Sequence, residues 1–430
     1  MSAKPYPGSK VYTEALSWTL AFLPCLRRAR QRYTHYYLIM FWSFLNYAGL
    51  AGGTVVALYA GLLGLLTTSW FQAHVVYLHA VQMTWGKDLD IPEVFGFLHN
   101  QVTPFRIKSV GIESLYAWHI LPVGLYRQHE IDLLHETSGF VPDITSRLGF
   151  NLLRDDPETR LAIHFHGAAG TVGSGYRCPN YRALSAGQPD KMHVLTFDYR
   201  GFGRSSGWPT EQGLIADATA VVEWALHVAK VPPERIVIYS QSMGTAVNAA
   251  IMERYAEQSP PILFRGHILT APFVDVPTLV STYSVAGTIP ILGPLKRFPV
   301  LFDYLKSFIK DDWSTKDRVA SYVRMNEQNE QPYKLTMLHG EDDYDIPWTH
   351  TPVVFWHAVN ATRPEKISFE DFGKIKDESK VDLGYAGSLV EWKTKTGVIR
   401  EEIVKYGLHD VIMGNPVVTL AVMRMFEQDE

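Results

Sequence analysis

The chain of 430 residues carries a formal net charge of −4, with 47% hydrophobic and 13% aromatic residues and two cysteines. That length suffices for one large or two ordinary domains with a sizeable core. The near-neutral balance gives no electrostatic basis for nucleic acid as a partner, and two cysteines supply neither a disulfide framework nor a zinc site.

The apolar excess is local. From Tyr33 to Gly86 there is no Asp, Glu, Lys or Arg. Within that window Tyr47 to Leu66 is an apolar segment of about twenty residues, enough at about 1.5 Å per residue to cross a hydrocarbon core of about 30 Å. It predicts a transmembrane helix over 36–68, with residues 1–35 as a cytoplasmic N-terminal segment. It is too long, and starts too late, for a cleaved signal peptide. Arg27, Arg28, Arg30 and Arg32 precede it, and no charge follows until Lys87, so the positive-inside bias leaves the N-terminus in the cytoplasm and the rest of the chain lumenal or extracellular. The expected product is a single-pass type II membrane protein, with the endoplasmic reticulum as its membrane. Gly49, Gly53, Ala57 and Gly61 recur every four residues on one helical face, a spacing that permits homo-oligomerisation by close helix approach, although Gly and Ala are common in membrane helices in any case. Cys25 and Cys178 fall on opposite sides of the membrane and cannot pair within one chain. Cys25, beside the arginines, is a palmitoylation candidate.

Residues 69–155 form a lumenal linker and the first antiparallel strands, the clearest of them in SLYAWHILPVGLY from Ser114 to Tyr126. From 156 to 428 the pattern becomes strand, loop, helix, repeated. TRLAIHFHG, HVLTFDYRG, RIVIYSQSMG and GHILTAPF are short apolar runs, and between them lie helical stretches such as Asp217 to Ala229. Near-continuous apolar strands alternating with helices imply a mostly parallel, doubly covered sheet, with chemistry at the carboxyl ends of its strands. In RIVIYSQSMGTA the strand turns abruptly into a helix at a serine between small residues, which leaves that side chain exposed above the sheet edge. Ser242 is therefore the candidate nucleophile. The usual elbow is G-x-S-x-G, and here Ser240 stands at its first position. An ordinary capping serine is the bland alternative.

HFHGAAGTVGSG, FDYRGFGRSSGWPTEQG and SQSMGT, in that order, resemble the α/β-hydrolase fold. More narrowly, residues from about 70 to 425 resemble the membrane-anchored lipases of the abhydrolase-domain-containing protein twelve type and the bud-emergence hydrolases of fungi. The resemblance implies serine hydrolase activity on lipid esters, with lysophosphatidylserine and monoacylglycerols as substrate types and no cofactor. In this fold the partners of the serine follow in the order acid, histidine. LTMLHGEDDYDIP resembles the family's H-G-x-x-D segment and puts the acid at Asp343, with Asp342 and Asp345 as rivals. A solvated loop or a calcium-like cluster is the other reading of those carboxylates. KISFEDF, Lys366 to Phe372, reads as the last strand and Met413 to Phe426 as the final helix, so His409 in YGLHDVI lies in the loop expected for the base. The backbone N–H groups of Met243 and Ala168 are the candidate oxyanion donors, and Asp198, Arg200 and Gly201 are read as structural.

A cap is expected at about 276–330. It contains TIPILGPLKRFPVLFDYLKSFIKDDW; as exposed surface this would admit acyl chains or lean on the membrane, and as core it would do neither. Gly373 to Lys405 reads as an insertion beyond the family pattern. Asn360-Ala361-Thr362 is an N-glycosylation sequon, usable only in a lumenal domain. The alternatives to a lipid esterase are a peptidase or small-ester hydrolase on the same fold, and a catalytically inactive, membrane-anchored scaffold.

Overall fold

The computed structural model describes residues 9–282 and 293–427, and the chain divides into two compact units at Leu66–Thr67. The first unit is a helix, Ser9–Leu66. Its part Arg32–Leu66 is, among the described residues, the one helix long and apolar enough to cross a membrane. The helix begins well before the predicted span and runs through Pro24.

The second unit is built on one ten-stranded sheet. Its strands are β1 Val102–Lys108, β2 Ser114–Ile120, β3 Arg160–Phe165, β4 Met192–Phe197 and β5 Ile236–Gln241. They continue as β6 Gly266–Thr270, β7 Tyr333–Gly340, β8 Val381–Asp382, β9 Gly387–Lys393 and β10 Gly397–Val404. The spatial order is β1-β2-β4-β3-β5-β6-β7-β10-β9-β8. From β4 to β10 the neighbours are parallel, and antiparallel strands close both edges.

Every residue of β4, β5 and β6 is buried, the expected reading of an apolar run covered on both faces. The pleat sorts the side chains. Leu161, Ile163, Phe165, Ile236 and Ile238 share a cluster with Leu214 and Val221 of the helix Glu211–Glu223 and with Ala246 and Val247 of the helix Met243–Ala256. Ala162, Val237 and Tyr239 face the other way, onto Tyr181 of the helix Arg177–Ala186 and Val418 and Val422 of the helix Pro416–Met425.

Three expectations are corrected. The stretch 366–372 is not a strand: Ser368 accepts the Asp371 N–H through its hydroxyl and caps the helix Phe369–Ser379. Gly373–Lys405 is not a loop insertion either, since it supplies the rest of that helix and β8, β9 and β10, so the last strand is β10. Leu121 to Tyr126 leaves the sheet at Pro122 and starts a short helix, Val123–Gln128.

Within the range taken as cap, Val276–Thr282 and Pro299–Lys306 are helical, while Thr315–Gln328 belongs to the body. Its Val319, Tyr322 and Val323 pack with Ala249, Met252, Val354 and Phe355. The stretch from Thr288 to Leu292 lies outside the described residues. The segment 69–155 also contributes core: Ala73, Tyr77, Phe150 and Leu153 join the cluster that contains Phe165 and Met243.

Candidate active site

The parallel register brings four strand ends together. Phe165 pairs with Ser240, Gln241 with Thr270, Thr270 with Leu338, and Gly340 with Val404. The loops that follow β3, β5, β7 and β10 therefore open on one edge of the sheet, where each sequence-predicted residue sits.

Ser242 follows β5 directly and precedes the helix Met243–Ala256, with φ +55° and ψ −126°. A non-glycine residue there stores about 1–3 kcal/mol of strain. The surroundings hold it: its N–H donates to Thr270 O at 2.9 Å and its carbonyl accepts the Thr245 N–H at 2.8 Å. Gly244 is required by close approach, because a Cβ there would lie 2.2 Å from Phe165 O. Ser240 fits where the common pattern has glycine because its hydroxyl has partners. It donates to Ile268 O at 3.0 Å and accepts from Asn248 Nδ2 at 3.0 Å.

His409 lies just after β10. Its Nε2 is 2.9 Å from Ser242 Oγ and its Nδ1 is 2.7 Å from Asp343 Oδ2. Since Asp343 as a carboxylate only accepts, the proton is on Nδ1 and Nε2 faces the serine hydroxyl as an acceptor. Burial opposes charging of His409, but the hydrogen bond and charge of Asp343, with Asp410 and Asp345 behind it, outweigh burial and raise its pKa above 6.5.

Asp343 has a fully buried side chain. Burial alone would raise its pKa, yet hydrogen bonds from His339 and His409 hold it well below the usual carboxylate range. Its Oδ1 also accepts the N–H groups of Asp345 and Ile346 at 2.8 and 2.9 Å. His339 Nε2 lies 3.2 Å from Asp343 Oδ2 and 3.0 Å from Ile346 O. A carbonyl can only accept, so this ring carries its proton on Nε2.

The rival carboxylates separate cleanly. Asp342 Oδ1 accepts the N–H groups of Gly407 and Leu408 at 2.9 and 2.8 Å, pinning the loop that carries His409. Asp345 stands near enough to Asp343 and His409 for the three to share a cation, their ligand atoms all within 4.8 Å. That grouping uses atoms already engaged in the Asp343–His409 hydrogen bond.

The Met243 and Ala168 N–H groups are taken by no protein acceptor among the described residues. Gly167 lies close under the elbow, where a Cβ would come within 3.0 Å of Ser242 Cβ and 2.5 Å of Gln241 Oε1. Sequence reasoning missed the residues that organise these loops. Gln241 Nε2 reaches His409 O and Asp410 Oδ1, both at 3.3 Å, and so ties the elbow to the histidine loop. Arg177 is buried and hydrogen-bonds the carbonyls around Ala168. The signal available for it was the glycine-rich run before it, whose buried carbonyls need donors.

The residues read as structural are so placed. Arg200 pairs with Asp217 at 2.7 Å, Gly201 has φ +77°, and Asp198 Oδ1 accepts the Val172 N–H at 2.7 Å. Asn360 lies in the helix His350–Ala361, where its side-chain amide exchanges two hydrogen bonds with the Ile367 backbone. Cys178 is a buried free thiol.

A family model described as "Serine aminopeptidase, S33" (Hydrolase_4) matches residues 183–331. "Lysophosphatidylserine lipase ABHD12" of Xenopus tropicalis is 27% identical over 321 residues, covering 73% of this chain and 71% of that protein. The protein of the same name from Danio rerio is 25% identical over 282 residues, covering 64% and 63%. Human "Protein ABHD12B" is 30% identical over 205 residues, covering 47% and 51%. An alpha-beta hydrolase from Vibrio vulnificus superposes with a TM-score of 0.49 at 13% identity, over 83% of this chain and 91% of that one. The chain has the α/β-hydrolase fold, and its sequence is similar to the ABHD12 proteins over about three quarters of its length.

Proposed function

We propose that this protein is a membrane-anchored esterase that cleaves carboxylic esters of lysophospholipids or monoacylglycerols, with Ser242 as nucleophile, His409 as base and Asp343 as the acid that orients it. The observation that carries the reading is the unbroken relay from Ser242 Oγ through His409 to Asp343. Its atoms lie within 2.9 Å of one another at each link, on the one strand edge where three separate loops converge.

In this mechanism Ser242 Oγ attacks the ester carbonyl carbon while His409 Nε2 takes the hydroxyl proton. The carbonyl oxygen becomes an oxyanion facing the Met243 and Ala168 N–H groups, each such donor being worth about 10²–10³ in rate. Collapse expels the alcohol, which receives the proton from His409. Water then repeats the sequence on the acyl-enzyme and releases the carboxylic acid. Asp343 stabilises the imidazolium throughout without itself taking a proton.

Lipid as substrate is supported by the names of the relatives and by the cap. Leu279, Val280 and Ile309 pack against the cluster that holds Met243 and Ala168. The helix Pro299–Lys306 and its N-cap expose Phe298, Val300 and Tyr304, Val300 to 86%. The arginines before the apolar helix support a type II orientation with the hydrolase unit lumenal or extracellular, and the endoplasmic reticulum is the membrane in this proposal. Because the Asn360 amide is engaged by Ile367, protease protection of intact microsomes is a better test of that orientation than glycosylation.

The decisive experiment is fluorophosphonate labelling of membranes containing wild type or Ser242→Ala, with lysophospholipid, monoacylglycerol and aminoacyl-amide hydrolysis followed in parallel. We expect labelling and lipid-ester cleavage to vanish together, with a loss of about 10⁶-fold in kcat. Labelling that persists in the variant would move the nucleophile elsewhere. Cleavage of the amide alone would replace the esterase by a peptidase, and a folded wild type that never labels would leave a scaffold.

A further inference from the structure

The loop between β3 and the helix Arg177–Ala186 runs from Gly167 to Tyr176, and its hydrogen bonds divide by polarity. On the donor side, Ala169 N–H goes to Tyr77 O at 2.8 Å and Gly170 N–H to Val81 O at 2.6 Å. Thr171 N–H goes to Ser174 Oγ at 2.8 Å, Val172 N–H to Asp198 Oδ1 at 2.7 Å, and Gly173 N–H to Thr171 Oγ1 at 3.2 Å. Every N–H from 169 to 173 is thus used within the protein, and that of Ala168 is not.

On the acceptor side one group takes most of the carbonyls, with His166 Nδ1 also donating to Gly167 O at 2.7 Å and the Tyr181 hydroxyl to Val172 O at 2.8 Å. Arg177 Nη2 donates to Gly167 O at 3.1 Å, Ala168 O at 3.3 Å and Ala169 O at 2.7 Å, and Nη1 donates to Thr171 O at 2.5 Å. The side chain is buried and, among the described residues, makes no direct ion pair, although its charge acts on the buried carboxylate of Asp198, which accepts the Val172 N–H of the same loop. Burying a guanidinium without a direct ion pair costs several kcal/mol, and a loop that needed only to be closed could be closed by neutral donors. What the cation adds is direction and field. It turns the carbonyls at 167, 168 and 169 to one side, which fixes the peptide planes between them and points the remaining N–H away from Arg177. It also places a positive charge behind the peptide that faces Ser242.

Resting on the proposed serine-hydrolase reading, we propose that Arg177 is a positioning residue for oxyanion stabilisation, acting through the Gly167–Ala168–Ala169 peptides rather than on the substrate. A loss of this kind is confined to the tetrahedral state, where charge develops on the carbonyl oxygen. Substrate binding and the Asp343–His409 pair do not depend on it.

The test uses the full-length, membrane-bound protein as wild type, Arg177→Gln, Arg177→Lys and Ser242→Ala, with active enzyme counted by fluorophosphonate titration. For each, kcat and KM on one lipid ester are compared with Ki for a trifluoromethyl ketone, which forms an oxyanion on the serine. We expect Arg177→Gln to lose about 10–100-fold in kcat with KM within about threefold. The ketone should weaken by the same factor as kcat/KM, with the acidic limb of the pH profile unmoved. Arg177→Lys, which keeps the charge but not the planar fork, should fall between the two. A fall in kcat/KM without a matching loss of ketone affinity would overturn the proposal, as would wild-type kinetics in Arg177→Gln. Failure of both variants to give titratable enzyme would assign Arg177 to folding and overturn it too. Hydrolysis surviving in Ser242→Ala would sink the underlying reading; an inactive Ser242→Ala beside a fully active Arg177→Gln would sink this proposal alone.

Discussion

The two walls of the site are built by different physics. The wall formed by the elbow after β5, with Gly167 packed under it, is held by shape: a positive φ at Ser242, glycines at 167 and 244 where a Cβ would meet neighbouring atoms, and backbone pairing to Thr270. The wall formed by the loops after β7 and β10 is held by charge. Asp343 gathers two N–H groups and two imidazoles, and Asp342 gathers the N–H groups of Gly407 and Leu408. Steric constraint is indifferent to pH, whereas a carboxylate holds its donors only while ionised. The proposed nucleophile, Ser242, is therefore set once by folding, and the proposed base, His409, is set by a titratable network that can be switched off.

The strongest way to break the comparison is Asp343→Asn. The shape of the first wall stays intact, so serine presentation should survive. The amide, however, no longer fixes the His409 proton on Nδ1, and kcat should fall by about 10⁴-fold. The pH profile carries the sign. As the proposed base, His409 would act only when neutral, and Asp343 helps to raise its pKa. Wild-type activity should therefore rise through a pKa above 6.5, and the acidic limb of the residual activity in the variant should move to lower pH. A limb that stays in place would assign the wild-type ionisation to another group.

Gly244→Ala attacks the other wall. Its Cβ would meet Phe165 O at 2.2 Å, Phe165 C at 2.7 Å and His166 O at 2.8 Å. These are backbone atoms that cannot rotate away, so the end of β3 must move. A cost of about 3 kcal/mol is expected, read as a lower thermal midpoint together with lost fluorophosphonate labelling at every pH. Labelling that recovers at high pH would mean that the charged wall, not the steric one, had been disturbed.

How much of this was legible in the sequence follows the same division. The shape-held wall was readable because strands buried on both faces are apolar runs that end in small residues, and HFHG and YSQSMG are local patterns. The charge-held wall was readable at its tip, in HGEDD and GLHD, and not in the strands beneath. β10 contains Arg400, Glu401 and Glu402, which do not read as a buried strand, yet all three are buried. Arg400 pairs with Glu391 at 2.9 Å and Glu402 at 3.1 Å, Glu402 with Arg424 at 3.1 Å, and Glu401 with Lys376. Charges can line a central strand when each finds its counter-ion, but apart from the Arg400–Glu402 pair the partners Glu391, Arg424 and Lys376 lie on other elements, so no local window reveals them. The same blindness put a strand at 366–372, where Phe and Ile mimic β alternation although Ser368 and Asp371 already spell a helix start. Arg177 escaped for the same reason, since its role is defined by carbonyls that only the folded loop brings together.

The smallest effect expected, and the sharpest probe of how the steric wall tolerates its one departure from pattern, concerns Ser240. Glycine at that position would satisfy the usual elbow, but here the hydroxyl is a working link between Ile268 O on β6 and Asn248 Nδ2 on the following helix, and Asn248 Oδ1 in turn lies 2.8 Å from His267 Nδ1. Ser240→Gly and Ser240→Ala both remove a buried donor and acceptor at once. Each should lower stability by about 1–2 kcal/mol, with glycine the worse of the two because it also raises the conformational entropy of the unfolded chain. Neither group touches Ser242, His409 or Asp343, so kcat per titrated site should stay within about twofold of wild type. The measurements are urea unfolding of the membrane-extracted protein and the rate per fluorophosphonate-reactive serine. A Ser240→Gly variant that is faster per site than wild type would show that the serine compromises the elbow, and would place the departure from glycine inside the chemistry rather than beneath it.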